Sequence, residues 1–299
     1  MNVKLDVDIH DYTLKNEVEL VRGSLFNNKS LLDSPKFRTK ETPLHIACAN
    51  GYTEMVNLLL EHDADIKLRS GPSNWTALHY AANQGNIEIM SLLVEKSQQI
   101  EALRKEKEEV EKRLVEEKRI EEEIEENRIR VEKGLSPKRR VKRPTETLPE
   151  DEETNDKELI PSCDLINIQD DEGFTPVHHA VVGNHINAVL WLLNENNADA
   201  GMKTNVGDNC VHLCCYYGHL ELLQLLFKLH NTVTQKVNVT EKNNGGNTPL
   251  HRASIRGHSH IARFLVRKGG DLLYINKAQE TPLDLASPDF IKELSIKDT

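Results

Sequence analysis

The chain of 299 residues carries 48 acidic and 38 basic side chains, a net charge of −10 at neutral pH. That balance argues against a general nucleic-acid binder. No run reaches the roughly eighteen apolar residues of a membrane span, and Met1-Asn2-Val3-Lys4-Leu5-Asp6 has no apolar signal core, so a soluble cytoplasmic protein is expected.

In chain order, Leu14, Val18, Val21, Leu25 and Leu31 are spaced for helices, and residues 1–37 read as a degenerate N-terminal unit. Thr42-Pro43-Leu44-His45 then opens a motif that returns at Thr76, Thr175, Asn209, Thr248 and Thr281. Its fourth positions, His45, His79, His178, His212, His251 and Asp284, are separated by 34, 99, 34, 39 and 33 residues. The step of 99 marks an insertion; the step of 39 marks a longer loop near His230 to Val239. Gly51, Gly85, Gly218 and Gly257 follow six residues after the histidines, and Asn184 takes that place in the third copy, as the residue after glycine most tolerant of a left-handed backbone.

Each copy explains itself physically. The Thr or Asn hydroxyl or amide caps a helix N-terminus, Pro occupies the first helical position where no N–H is needed, and the His reaches back toward the cap backbone. Apolar spacing predicts two short helices per copy, such as those bearing Leu44, Ala47 and Cys48, then Met55, Val56, Leu59 and Leu60. In the last copy Ser287-Pro288 cuts the unit short, leaving a brief helix around Phe290 to Leu294 that serves as a cap.

Motif and period together resemble the ankyrin repeat, over most of residues 38–290. The resemblance implies an all-α ankyrin-repeat solenoid with hairpin loops, here interrupted by a long charged helix and a disordered linker, and it implies protein binding in general without naming the partner. The expected organisation is a cap over 1–37, repeats 1–2 over 38–96, an insert over 97–164, and repeats 3–6 with a C-terminal cap over 165–299.

The insert begins as a helix. From Glu95 to Lys133 there are almost no helix breakers, and acids often precede bases by three or four positions. Continuing the second helix of repeat 2, it predicts a rod of about 45 residues, roughly 70 Å, that Gly134 ends. Leu103, Val110, Ile124 and Val131 keep a period of seven, but Glu117 breaks the row, and the companion row Ile100, Lys107, Leu114, Glu121, Arg128 is mostly charged. A lone charge-paired helix, self-association or other coiled-coil pairing through 97–133, and disorder all stay open. Beyond it, Ser136-Pro137 precedes the basic run Lys138 to Arg143, and an acidic stretch runs from Glu150 to Glu158. Few apolar residues and several prolines predict disorder. The basic run reads either as a nuclear import signal or as a solvating linker, with Ser136 a phosphorylation switch in the first case, and the acidic stretch is a candidate to fold back on the basic end of the stack.

Cys48, Cys163, Cys210, Cys214 and Cys215 form no secreted disulfide framework. Cys210, His212, Cys214 and Cys215 beside His178 and His179 invite a zinc reading, but neighbouring helical positions diverge and the signature histidines are committed to capping. No metal, cofactor or catalytic group is expected, and the protein is read as a non-enzyme. The alternative is a regulatory or targeting subunit of an enzyme complex that uses the insert as a second docking or dimerisation arm.

Binding is expected on the concave face. Positions one, four and five after the signature residue give the row Ile46, Ala49, Asn50; Tyr80, Asn83, Gln84; His179, Val182, Gly183; Leu213, Tyr216, Tyr217; Arg252, Ile255, Arg256. Tyr216 and Tyr217 next to Arg252 and Arg256 form either an aromatic and guanidinium pairing typical of interface hot spots or, in the alternative, tyrosines stacked on the neighbouring repeat with arginines in helix-dipole or salt-bridge roles. Trp75 and Phe174 precede the motif on the hairpin edge, where each is a partner contact or packs on the next loop. Arg252, Arg256, His258, His260, Arg263, Arg267 and Lys268 make the fifth repeat basic, so an acidic peptide segment is the expected ligand.

Overall fold

The structure, a computed structural model, describes residues 8–136, 165–229 and 238–295. Cys163, the basic run Lys138 to Arg143, the acidic stretch Glu150 to Glu158 and most of the longer loop after His230 lie outside them. The chain divides into two compact units, with boundaries after Lys96 and before Ser162.

The first unit is a stack of helical pairs. Its elements are α1 (Ile9–Leu14), α2 (Val18–Asn27), α3 (Pro43–Asn50), α4 (Thr53–Glu61), α5 (Ala77–Gln84) and the start of α6 (Ile87–Glu132). After the insert follow α7 (Pro176–Val182), α8 (Ile186–Leu190), α9 (Cys210–Tyr217), α10 (Leu220–Leu229), α11 (Pro249–Arg256), α12 (Ser259–Arg267) and α13 (Pro288–Ser295). The first helices stack in order, α1 on α3, α3 on α5, α5 on α7, α7 on α9 and α9 on α11. Short helices like these are marginal alone, and the stack stabilises them by burying Leu44, Leu59, Leu78, Leu93, Val177, Leu192, Leu222, Leu250 and Leu265 in one continuous core.

The motif residues act as the chemistry of their positions requires. A reciprocal cap closes the N-terminus of α3, α5, α7, α9 and α11. In α3 the backbone N–H of Thr42 donates to His45 Nδ1 at 3.2 Å, and in α5 that of Thr76 donates to His79 Nδ1 at 3.1 Å. An Nδ1 that accepts this bond leaves the ring proton on Nε2, which then donates outward to the next hairpin. His45 Nε2 meets the Leu68 carbonyl at 3.0 Å, His178 Nε2 that of Met202 at 3.1 Å, and His251 Nε2 that of Glu280 at 3.2 Å. One side chain therefore caps its own helix and fastens the following loop. Where Asp284 replaces His, it accepts from Thr281 N–H at 2.8 Å, but the segment makes only a turn before α13.

Helix exits follow the same economy. Gly51, Gly85, Gly218 and Gly257 hold φ between 68° and 88°, and Asn184 takes φ 56° while Gly183 stays right-handed. The hairpins add a device that the motif alone does not announce. The buried side chains of Asp170, Asn243 and Asn276, each five residues before the cap, accept from the backbone N–H groups two and four residues on, at 2.8 to 3.0 Å.

The second unit contains the rest of α6, a helix of 46 residues in all that runs without interruption to Glu132. Its surface is laced with exposed pairs, including Arg104 with Glu108 at 2.9 Å, Arg113 with Glu109 at 2.9 Å and Arg119 with Glu116 at 2.7 Å. Such solvent-screened pairs each contribute little. Gly134, at φ 71°, follows its end.

Candidate functional site

Two clusters hold the sequence-selected residues. The first lies where repeat 2 meets repeat 3. Trp75 stands half-buried, its ring 5.0 Å from Tyr80 and 4.2 Å from His179, and Phe174 lies 5.4 Å from the same His179. Tyr80 donates its hydroxyl to Glu41 Oε1 at 3.4 Å and accepts from Ser70 Oγ at 3.5 Å. Trp75, Tyr80 and Phe174 thus pack on one another's neighbours across the repeat boundary, with only their outer edges in solvent. The buried indole N–H of Trp75 has no hydrogen-bond partner among the described residues.

At the floor of this cluster, ligand atoms of His79, Asp170 and His179 lie within 4.8 Å of one another, a spacing compatible with a metal ion. The donor set does not fit one. His79 Nδ1 accepts from Thr76 N–H, so Nε2 carries a proton and donates to the carbonyls of Ile168 at 3.1 Å and Phe174 at 3.2 Å, leaving no lone pair for a cation. His179 Nε2 is 2.9 Å from Asp170 Oδ2. Burial pushes the Asp170 carboxyl up, but the bonds from His179 and from Phe174 N–H outweigh it and hold the group below its usual range. Burial, then repulsion from His179, lowers His79 to about 3. The trio is a polar clasp between repeats.

The thiols among the described residues offer no reactive group either. Cys48, Cys210, Cys214 and Cys215 are buried, and burial raises each, Cys210 to about 12.

The second cluster spans α9 and α11. The Arg256 guanidinium lies 4.4 Å from the centre of the Tyr216 ring and that of Arg252 5.5 Å, while Tyr216 meets Tyr217 edge-on at 5.1 Å. The two arginines differ. Arg252 is mostly buried and closes on the buried Asp208 carboxylate, Nε to Oδ1 at 3.1 Å and a second nitrogen to Oδ2 at 2.5 Å. Asp208 also accepts from Asn243 Nδ2 at 2.8 Å. Arg252 therefore ties the fourth hairpin to the fifth repeat, whereas Arg256, Tyr217 (40 % exposed) and Ile255 (41 % exposed) face solvent.

The expected concave row needs correction at its first position. Ile46, His179 and Leu213 are buried, because each first helix is sandwiched between two neighbours and its inner flank is covered. Positions four and five retain exposure, ending at Asn50, Gln84, Gly183, Tyr217 and Arg256. Asp208, which commits Arg252, was missed because no local spacing links it to a residue 44 positions on.

Stacked helix pairs, clasped hairpins and an exposed aromatic and cationic surface together define a protein-binding repeat scaffold. The family models for ankyrin repeats match residues 10–104 and 154–238, and again 211–266. The chain belongs to the ankyrin repeat family. It is similar to the SMC5-SMC6 complex localization factor protein 1 of Bos taurus, 32% identical over 124 residues, covering 41% of this chain and 11% of that protein. A second relative, the NAD-dependent deacetylase sir2B of Dictyostelium discoideum, is 23% identical over 283 residues, 93% of this chain and 32% of that protein. The chain thus spans only about a tenth to a third of the length of these relatives. Among solved structures, the ankyrin repeat domain of Bcl-3 superposes with a TM-score of 0.58 at 20% identity, over 97% of this chain and 98% of that one, which establishes the fold. No described helix is long and apolar enough to cross a membrane.

Proposed function

We propose that this protein is a non-catalytic scaffold that holds an acidic segment of a partner protein on the surface shared by α9 and α11. The supporting observation is the exposed Arg256 guanidinium seated on Tyr216 beside Tyr217 and Ile255. A carboxylate would pair with Arg256 from above, and an apolar neighbour in the same segment would pack on Tyr217 and Ile255. In this reading Arg252 is a positioning residue, and Trp75, Tyr80 and Phe174 add contact area at the hairpin edge. Residues 97–164 form an insert between repeats 1–2 and 3–6, and neither cofactor nor metal takes part.

Fluorescence anisotropy with labelled peptides is the test. Peptides mixing Glu or Asp with Leu or Phe should bind, peptides with Lys in place of the acids should not, and Arg256→Glu should weaken binding about tenfold or more. Equal affinity for acidic and basic peptides would remove the proposal.

The similarity to a deacetylase across nearly the whole chain favours a second reading, in which a stack of this kind targets a catalytic partner. In either reading the compartment is the cytoplasm or, if the run 138–143 acts as an import signal, the nucleus, and fusing residues 138–143 to a reporter tests whether that run directs nuclear entry.

A further inference from the structure

The part of α6 in the second unit carries apolar side chains that no described residue of that unit covers. Ile100, Leu103, Val110 and Leu114 lie on one side of the helix, Leu103 at 56 % and Leu114 at 51 % exposure. Leu103, Lys107, Val110 and Leu114, flanked by Glu106 and Glu111, line a shallow groove along it. Two rows with heptad spacing meet there, Ile100, Lys107, Leu114 and Leu103, Val110, Glu117.

The flanking charges discriminate among occupants. A second copy laid parallel and in register would set Lys107 against Lys107 and Glu117 against Glu117, with Glu106 facing Glu111 and Arg113 facing Lys118 along the rims. Every one of those pairs repels. An antiparallel second copy alternates the two rows across the interface, and one register satisfies both core and rim. It places Leu103 against Leu114, Lys107 against Val110 and Ile100 against Glu117, and on the rims Arg104 against Glu111 and Glu106 against Arg113. The two-fold axis makes each contact twice. Slipping by one heptad in one direction sets Arg104 against Arg104, and in the other sets Arg113 against Arg113.

We propose that α6 pairs with α6 of a second copy of this chain as a short antiparallel coiled coil over residues 100–117, in the register that joins Leu103 to Leu114. Lys107 lays its stem on Val110 and keeps its ammonium at the rim near Glu106 and Glu111. Arg104 and Arg113 hold Glu108 and Glu109 in the single chain. Those exposed pairs contribute little, so exchanging them for partners on the second copy costs little. Two and a half heptads with polar end layers make a weak, concentration-dependent dimer. The pairing is independent of the peptide surface on α9 and α11, so Arg256→Glu leaves it unchanged.

Sedimentation equilibrium of the full chain at low salt tests this. The wild type is expected to dimerise reversibly in the micromolar range, and Leu103→Glu with Leu114→Glu is expected to be monomeric at unchanged helicity. Arg104→Glu alone and Glu111→Arg alone should each weaken the dimer about tenfold, and the two together should restore it, because the rim pair is then reversed and intact. A wild type that stays monomeric up to about 100 µM overturns the proposal, leaving the groove to a different protein. A dimer indifferent to the leucine changes, or charge reversals that do not rescue one another, also overturns it.

Discussion

His79 donates from Nε2 to the backbone carbonyl of Phe174, 95 residues further along the chain, at 3.2 Å. The same ring caps α5 through Nδ1, so one imidazole both starts repeat 2 and seats repeat 3 across the insert. The hairpins reinforce it: Asn74 donates to Asp171 at 2.7 Å, Ser73 to Glu172 at 3.1 Å, and Arg69 to the Gln169 carbonyl at 2.9 Å. These bonds join repeats 2 and 3 although residues 97–164 separate them in the sequence.

Replacing His79 by Ala should therefore cost more than a lost cap. The cap contributes about 1 kcal/mol, and the part-buried Ile168 carbonyl loses its donor while that of Phe174 keeps the Asp170 N–H, so the expected loss is about 2 kcal/mol by urea unfolding. Thr76→Ala, which removes the hydroxyl but keeps the backbone N–H bond, should cost about 1 kcal/mol. Equal costs would show that the outward bond from Nε2 contributes nothing.

Acid should loosen the stack before the carboxylates titrate. Burial lowers His45, His79, His178, His212 and His251, His79 to about 3 and His178 to about 4, from an ordinary value of 6.5. Between those limits the unfolded chain binds protons that the folded one refuses, so stability is complete above pH 6.5 and falls as pH drops toward 4 and 3. At His79 and His178, where the gap is wide, the slope reaches up to about 1.4 kcal/mol per pH unit each. Thermal melts from pH 7.5 to 4 should show a falling midpoint, and the decline should be shallower in His79→Asn.

Arg252 and Arg256 should separate stability from binding. Arg252→Ala leaves the buried Asp208 charge unpaired, at a cost of about 3 kcal/mol, most of it recovered when Asp208→Asn is added. Arg256→Ala should alter stability by no more than about 0.5 kcal/mol, since its guanidinium is exposed, yet weaken capture of acidic peptides. Chemical denaturation and anisotropy on the same three variants measure both.

Gly85 offers a steric test of the repeat 2–3 junction. Its φ is 68°, and a Cβ there would lie 2.4 Å from the His185 ring, whose Nε2 is 2.9 Å from the Asn83 carbonyl. Gly85→Ala should cost about 2 kcal/mol or more from strain and the displaced ring. Gly257→Ala meets no atom within 4 Å and should cost only the backbone term, about 1 kcal/mol. Equal losses would mean that His185 yields freely.

The five full motif copies dictate their own caps and turns from residues three to six positions apart, which is why the helices and the family were legible in the order of residues. Asn209 in place of Thr and Asn184 in place of Gly were legible for the same reason, since the substitute supplies the same acceptor or the same backbone freedom. Tertiary structure alone decided which residues of the expected binding row face water. It turned Ile46, His179 and Leu213 inward, gave Arg252 to Asp208 and left Arg256 exposed, because burial and charge pairing depend on what a neighbouring repeat places opposite each side chain, and that distance is measured through space.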